Sequence, residues 1–85
     1  MNNFYIIWED NHGNIAITDS YDKAIDFLLD DEWISVPANT TQKWYRDYLK
    51  SLTCEEFNDK MYNEMNYSYI VIQECHFEKG IWRAR

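Results

Sequence analysis

Two short apolar runs, each bounded by polar residues, open the chain. The first, "NFYIIWE" (residues 3–9), is rich in aromatic and β-branched side chains, and the shorter "NIAIT" (residues 14–18) repeats the pattern. Between them "DNHG" is a turn signal, with Gly13 available for positive φ, so the segment predicts a β-hairpin. The period then changes. Tyr21, Ala24, Ile25, Leu28 and Leu29 recur at helical spacing and predict a helix with one apolar face. Asp19 is its expected N-cap, which places Asp22 at N3, where an acid suits the helix dipole. "EWISVP" reads as a short extended piece that Pro37 stops or confines to an edge.

A second helix starts near Thr40 or Thr41 and carries Trp44, Tyr45, Tyr48, Leu49 and Leu52 on its buried face. Thr53 with Glu56 makes the capping-box pattern that opens a third helix. Its apolar stripe is Phe57, Met61 and Met65, with Cys54 on the same side. "YSYIVIQECHF" is the clearest strand, and "EKG" turns it back into a short "IWRA" strand. Strands at both ends with helices between predict one α+β domain over residues 1–85. Its small antiparallel sheet is the N-terminal hairpin plus a C-terminal strand or hairpin, with about three helices packed on one face.

Composition narrows the functional classes. With 85 residues there is room for one core and no large enclosed active site. Apolar residues at 46 % and aromatics at 18 % support a folded globule, not an acidic disordered tail. The net charge of −7 argues against direct nucleic-acid or anionic-membrane binding and favours a basic protein surface as partner. No apolar run approaches the ~20 residues a membrane-spanning helix needs. "MNNFYIIWED" lacks the basic region of a signal peptide, and two cysteines without such a signal read as reduced thiols. The expected location is therefore the cytoplasm.

Charge is unevenly placed. "TDSYDKAIDFLLDDEW" (residues 18–33) holds six acids and one lysine. On a helical wheel Asp19, Asp22, Asp26 and Asp30 fall within about 80°, opposite the apolar face, as a row about 16 Å long. Asp30, Asp31 and Glu32 then crowd the helix C-terminus, where the macrodipole disfavours acids. Amphipathic helices ordinarily have polar outer faces, but this row uses a poor helix former and repeats like charges at i,i+4. Neutralising Asp22, Asp26 and Asp30 is thus expected to leave the fold intact or slightly more stable while weakening partner binding. The row is too sparse to copy duplex DNA, which carries a charge every ~3.4 Å on each strand. A second acidic row would have to come from Glu55, Glu56 and Asp59, or from Glu9 and Asp10. Candidate partner-binding residues are Asp19, Asp22, Asp26, Asp30, Asp31, Glu32 and Trp33, with Glu55, Glu56, Asp59 and Tyr62 as a secondary set. Tyr67 and Trp82, at element edges, are further aromatic candidates.

The second helix shows the opposite sign. Lys43, Arg46 and Lys50 lie within about 60° of the wheel, and this segregation also offers a way to pair two copies as a homodimer. Cys54, Cys75, His12 and His76 lack zinc spacing, and the acidic helix lacks the loop of a calcium site, so no metal or cofactor is expected. No nucleophile elbow, P-loop, dinucleotide fingerprint or zinc-protease motif is present, and the chain is expected not to be an enzyme.

The aspartate row Asp19–Asp30, the cluster Asp30–Glu32 and the AT-rich-genome flavour of "MNNFYIIWEDNHGNI" give a profile that resembles small acidic proteins of phages and mobile elements, including anti-CRISPR proteins. The resemblance covers size, charge and organisation; it carries no motif and transfers no functional residue. It implies a non-enzymatic inhibitor, acting in the cytoplasm of a bacterial host cell, whose acidic surface docks on the basic groove of a nucleic-acid-binding enzyme. The alternative is an antitoxin or immunity-type protein that neutralises a basic toxin such as a nuclease.

Overall fold

The computed structural model describes residues 3–64 and 70–84, the side chains of Glu64, Trp82 and Ala84 excepted. Strands β1 (Asn3–Glu9) and β2 (Gly13–Thr18) form the N-terminal hairpin. Helices α1 (Tyr21–Asp30), α2 (Gln42–Ser51) and α3 (Cys54–Glu64) follow, then β3 (Ile70–Glu78) and β4 (Ile81–Ala84). The strands make one antiparallel sheet in the order β2-β1-β3-β4, which gives the α+β fold expected from the chain's periodicities.

The hairpin loop is a type I-like turn closed by His12 N–H to the Glu9 carbonyl (3.1 Å), with Gly13 at φ +75°. A left-handed residue after such a turn needs no Cβ, which is why glycine sits there. Pairing then shifts at Ile7/Trp8, so that Ile7 faces Ala16 while Trp8 faces Asn14. The extra residue is Ile15. In a regular strand Ile15 and Ile17 share a face; the bulge separates them. Ile15 and Ala16 pack on the core with Ile7, whereas Ile17 turns to the opposite face and is exposed.

The core lies on one side of the sheet. Ile7, Ile70 and Ile72 meet Ala24, Ile25, Leu28 and Leu29 of α1, Tyr45 and Leu49 of α2, and Phe57 and Met61 of α3. Tyr21 knits these layers. Its ring meets Tyr5 and Phe57 edge-on, and its hydroxyl donates to the Leu49 carbonyl at 2.7 Å. Burial, followed by the nearby Cys54, Asp22 and Glu56, pushes its phenol well above the ordinary range.

Four local expectations are corrected. The N-cap of α1 is Ser20, whose hydroxyl accepts from Lys23 N–H at 3.0 Å; Asp19 lies outside the helix. Asp22 is consequently the second helical residue, still in the first turn where the dipole favours it. "EWISVP" is not a strand. Its Trp33 and Ile34 N–H groups both turn back to the Leu28 carbonyl, and Ile34 is buried as a plug. Trp44 is not buried: it is 56 % exposed and stacks on Tyr48, because Tyr45 and Leu49 mark the face that α2 turns inward. The capping box is as expected, with Glu56 N–H on the Thr53 hydroxyl (3.0 Å) and Thr53 N–H on the Glu56 carboxylate (2.8 Å). Met65 and Tyr67 lie outside the described residues, as does the side chain of Trp82.

Candidate functional site: two acidic regions

Helix α1 packs against α2, which brings the aspartate row onto the basic face of its neighbour. Asp26 meets Arg46 at 2.6 Å and Lys50 at 2.9 Å, and Asp30 meets Arg46 at 2.8 Å. Lys50 above all, then Arg46, holds the Asp26 carboxyl below the usual carboxylate range against the opposing effect of burial. Asp30, followed by Asp26, raises Arg46 in turn. Asp19 pairs with Lys23 at 2.9 Å on the open surface. Lys23 is therefore not the row's only nearby cation: α2 supplies two more. The like-charge repulsion expected along the row is offset within the chain.

The acids at the end of α1 have a backbone role. Trp33 N–H reaches the Leu28 carbonyl (2.9 Å) and Glu32 N–H the Leu29 carbonyl (3.2 Å), the bond pattern of a Schellman motif. Glu32 sits at φ +61°, the position where helices ordinarily place glycine. Asp31 is the C-cap. Asp22, Asp31 and Glu32 are exposed and make no ion pair with a described residue. Trp33 is half-buried and meets the His12 ring edge-on at 5.3 Å.

The second acidic region is concave. An open cleft of about 840 Å³ runs from the hairpin tip to the first turns of α3, over the edge of β3. Glu9, Asp10, Glu55, Asp59 and Glu74 line it, and among the described residues no lysine or arginine does. Trp8 and Val71 form its apolar wall, and the Trp8 indole N–H donates to the Gln73 side chain at 3.2 Å. Asp10, Glu55 and Asp59 are exposed and Glu74 is half-buried.

Two devices hold this cleft open. Asn58 of α3 reaches the part of β3 that β4 does not cover. Its side-chain amide accepts from Ile72 N–H and donates to the Ile72 carbonyl, both at 2.9 Å. One side chain thus satisfies the strand edge as a neighbouring strand would, and fixes α3 against the sheet. At the other end Glu9 is 2 % exposed, and its Oε1 accepts from the backbone N–H groups of Asn11 (3.0 Å) and His12 (2.9 Å) and from His12 Nδ1 (2.6 Å). A buried carboxylate is tolerable only with such donors. It locks the loop that carries Asp10.

Cys54 also borders the cleft and donates to the Ile72 carbonyl at 3.0 Å. Burial, with the Glu74 charge adding to it, pushes its thiol up to about 11, so it is not a thiolate at neutral pH. Among the described residues no group of three or more His, Cys, Asp or Glu side chains is arranged to hold a metal ion. No helix among them is long and apolar enough to cross a membrane.

The structure thus separates the candidates. Asp26 and Asp30 are tied to α2, while Glu55 and Asp59 join Glu9 and Asp10 around one cleft. Glu56 faces away and closes the capping box, and Tyr62 is 71 % exposed on α3. Trp8, Asn58 and Glu74 were not legible as site residues, because each contributes through a neighbour distant in the chain. Compared with known protein families, curated proteins and solved structures, the chain matches none.

Proposed function

We propose that this protein is a non-enzymatic interaction protein that inhibits a nucleic-acid-binding partner by seating an acidic surface on its basic groove. The cleft between the hairpin tip and α3 is the centre of that surface. The observation that carries this reading is the cleft's one-sided lining: Asp10, Glu55, Asp59 and Glu74 around an aromatic wall, with no lysine or arginine among the described lining residues. Exposed carboxylates such as those of Asp10, Glu55 and Asp59 attract arginine and lysine side chains, and an indole face adds cation–π attraction. Asp22, Asp31 and Glu32, exposed at the two ends of α1, add to the negative field of the molecule. Asp26 and Asp30 contribute less, since Arg46 and Lys50 already balance them. The class-level resemblance to inhibitors of mobile-element origin points the same way.

A pull-down from bacterial lysate identifies the partner, and its affinity is then measured at about 50 and about 200 mM salt, where charge-driven docking weakens with screening. Asp10→Asn, Glu55→Gln and Asp59→Asn together are expected to weaken binding about tenfold or more, with a shallower salt dependence. Saturating wild-type protein is expected to displace nucleic acid from the partner. Unchanged affinity in the triple variant, or a partner that keeps its nucleic acid, overturns the proposal. Capture of a nuclease toxin instead of a defence enzyme identifies the protein as an antitoxin or immunity-type inhibitor acting by the same electrostatics.

A further inference from the structure

The sheet has a second face, and it is uncharged. Strand alternation and pairing place Phe4, Ile6 and Trp8, with Ile17 beside them and Val71 and Phe77 on β3, on the side opposite Ile7 and Ile72. None of these six belongs to the cluster that joins the sheet to the helices. Ile17 is 59 % exposed, Phe77 43 % and Trp8 40 %. No Asp, Glu, Lys or Arg stands on this face in β1, β2 or β3, in a chain of net charge −7. An exposed apolar patch of this extent marks an interaction surface.

We propose that this face packs sheet on sheet against a second copy of the chain, giving a two-fold dimer with the helices outside. Charge selects the occupant. Beyond the rim it shares with the cleft at Trp8 and Val71, this neutral face, with Phe4, Ile6, Ile17 and Phe77, carries no carboxylate for a basic partner, and it is where two strongly acidic chains can approach. Stacked sheets lie about 10 Å apart, so the two helical layers are held on the order of 30 Å from each other, several Debye lengths at physiological salt. The area is sufficient. Four strands at ~4.8 Å spacing and about seven residues at ~3.3 Å rise give a footprint of roughly 400 Å². Two faces of that size bury roughly 800 Å², with interdigitating side chains adding to it, the range of weak interfaces, which corresponds to a dimer that dissociates on dilution. Trp8, Phe77 and Phe4 are the kind of aromatic anchors such interfaces use. The β2 bulge is the device that adds Ile17 to the patch.

The dimer face shares Trp8 and Val71 with the cleft, so it is tested through Ile17 and Phe77, which belong to the face alone. Sedimentation equilibrium of the wild-type chain across a concentration series is expected to show a species of twice the 10.4 kDa chain mass, strengthened by added salt as like-charge repulsion is screened. Docking at the cleft has the opposite salt response. Ile17→Lys and, separately, Phe77→Lys are expected to raise the dimer dissociation constant at least about 30-fold. Neither residue lines the cleft. Far-UV circular dichroism verifies the fold, and Ile17→Lys alone decides the matter if Phe77→Lys fails to fold. A single-chain mass at about 0.5 mM overturns the proposal, as does a dimer whose dissociation constant Ile17→Lys leaves unchanged.

Discussion

Two acidic regions of this molecule, made from the same residue types, have different fates. On α1 the carboxylates of Asp26 and Asp30 are paired across a helix–helix contact with Arg46 and Lys50. Around the hairpin tip and α3 the carboxylates of Asp10, Glu55 and Asp59 converge on a cleft that no described lysine or arginine lines. The first region is a structural seam between two helices. The second concentrates a negative field in a concavity. An acidic run is therefore uninformative until its counter-charges are located, and a scattered set of acids can matter more than a contiguous one.

The sharpest way to break the comparison is to remove the scaffold of the cleft. Asn58→Ala leaves Ile72 N–H and carbonyl without their side-chain partner and is expected to cost about 2 kcal/mol in urea unfolding. A loss no larger than that of an exposed α3 substitution would show that water replaces the amide at this edge.

Next comes the seam. Asp26→Asn with Asp30→Asn is expected to destabilise by about 1 kcal/mol, a figure already reduced for solvent screening because Asp26 is partly and Asp30 largely exposed. This reverses the expectation, drawn from like-charge repulsion alone, that neutralising the row is neutral or stabilising. The three cleft substitutions are expected to stay within about 0.5 kcal/mol of wild type, since they break no ion pair. The pH dependence has a definite sign. Asp26 is held below its unfolded value, so its contribution is complete above about pH 4 and lost as pH falls through the folded value. The Asn variant should flatten that part of the acid limb, and an unaltered limb in acid titrations would remove Asp26 from the account.

The smallest effect concerns the junction between the regions. Glu32→Gly relieves a left-handed non-glycine residue and removes an acid from a helix C-terminus, and should stabilise by about 0.5–1 kcal/mol. If thermal unfolding shows instead a loss, the left-handed strain at Glu32 is not a significant cost. Binding measured alongside tells whether the Glu32 carboxylate serves the flank of the docking surface.

Much of the fold was legible in the chain. The hairpin at residues 3–18, the Thr53–Glu56 capping box and the closing "EKG" turn are local features, set by side-chain period and by which residues tolerate a given φ. The errors were also local and have local causes. Ser20 caps the helix while Asp19 pairs with Lys23, and the bonds from Trp33 and Ile34 N–H to the Leu28 carbonyl remove the N–H groups that an extended "EWISVP" would need.

The site was legible only in pieces. Glu9 and Asp10, and Glu55 and Asp59, stood out as separate acidic pairs, and Lys43, Arg46 and Lys50 as a basic face. Their periodicity fixes which side of an element each residue occupies, because that depends on backbone geometry within a few residues. Which element each side meets is decided by long-range packing. Helix α2 docks on α1, so its arginine and lysine neutralise the aspartate row. Helix α3 docks on the edge of β3 through Asn58, so its acids join those of the hairpin. The sequence by itself determined the elements, their polarity and the net negative charge. Only the tertiary structure decided which of those charges are balanced and which are left facing solvent, since a Coulomb interaction depends on distance in space and not on separation along the chain.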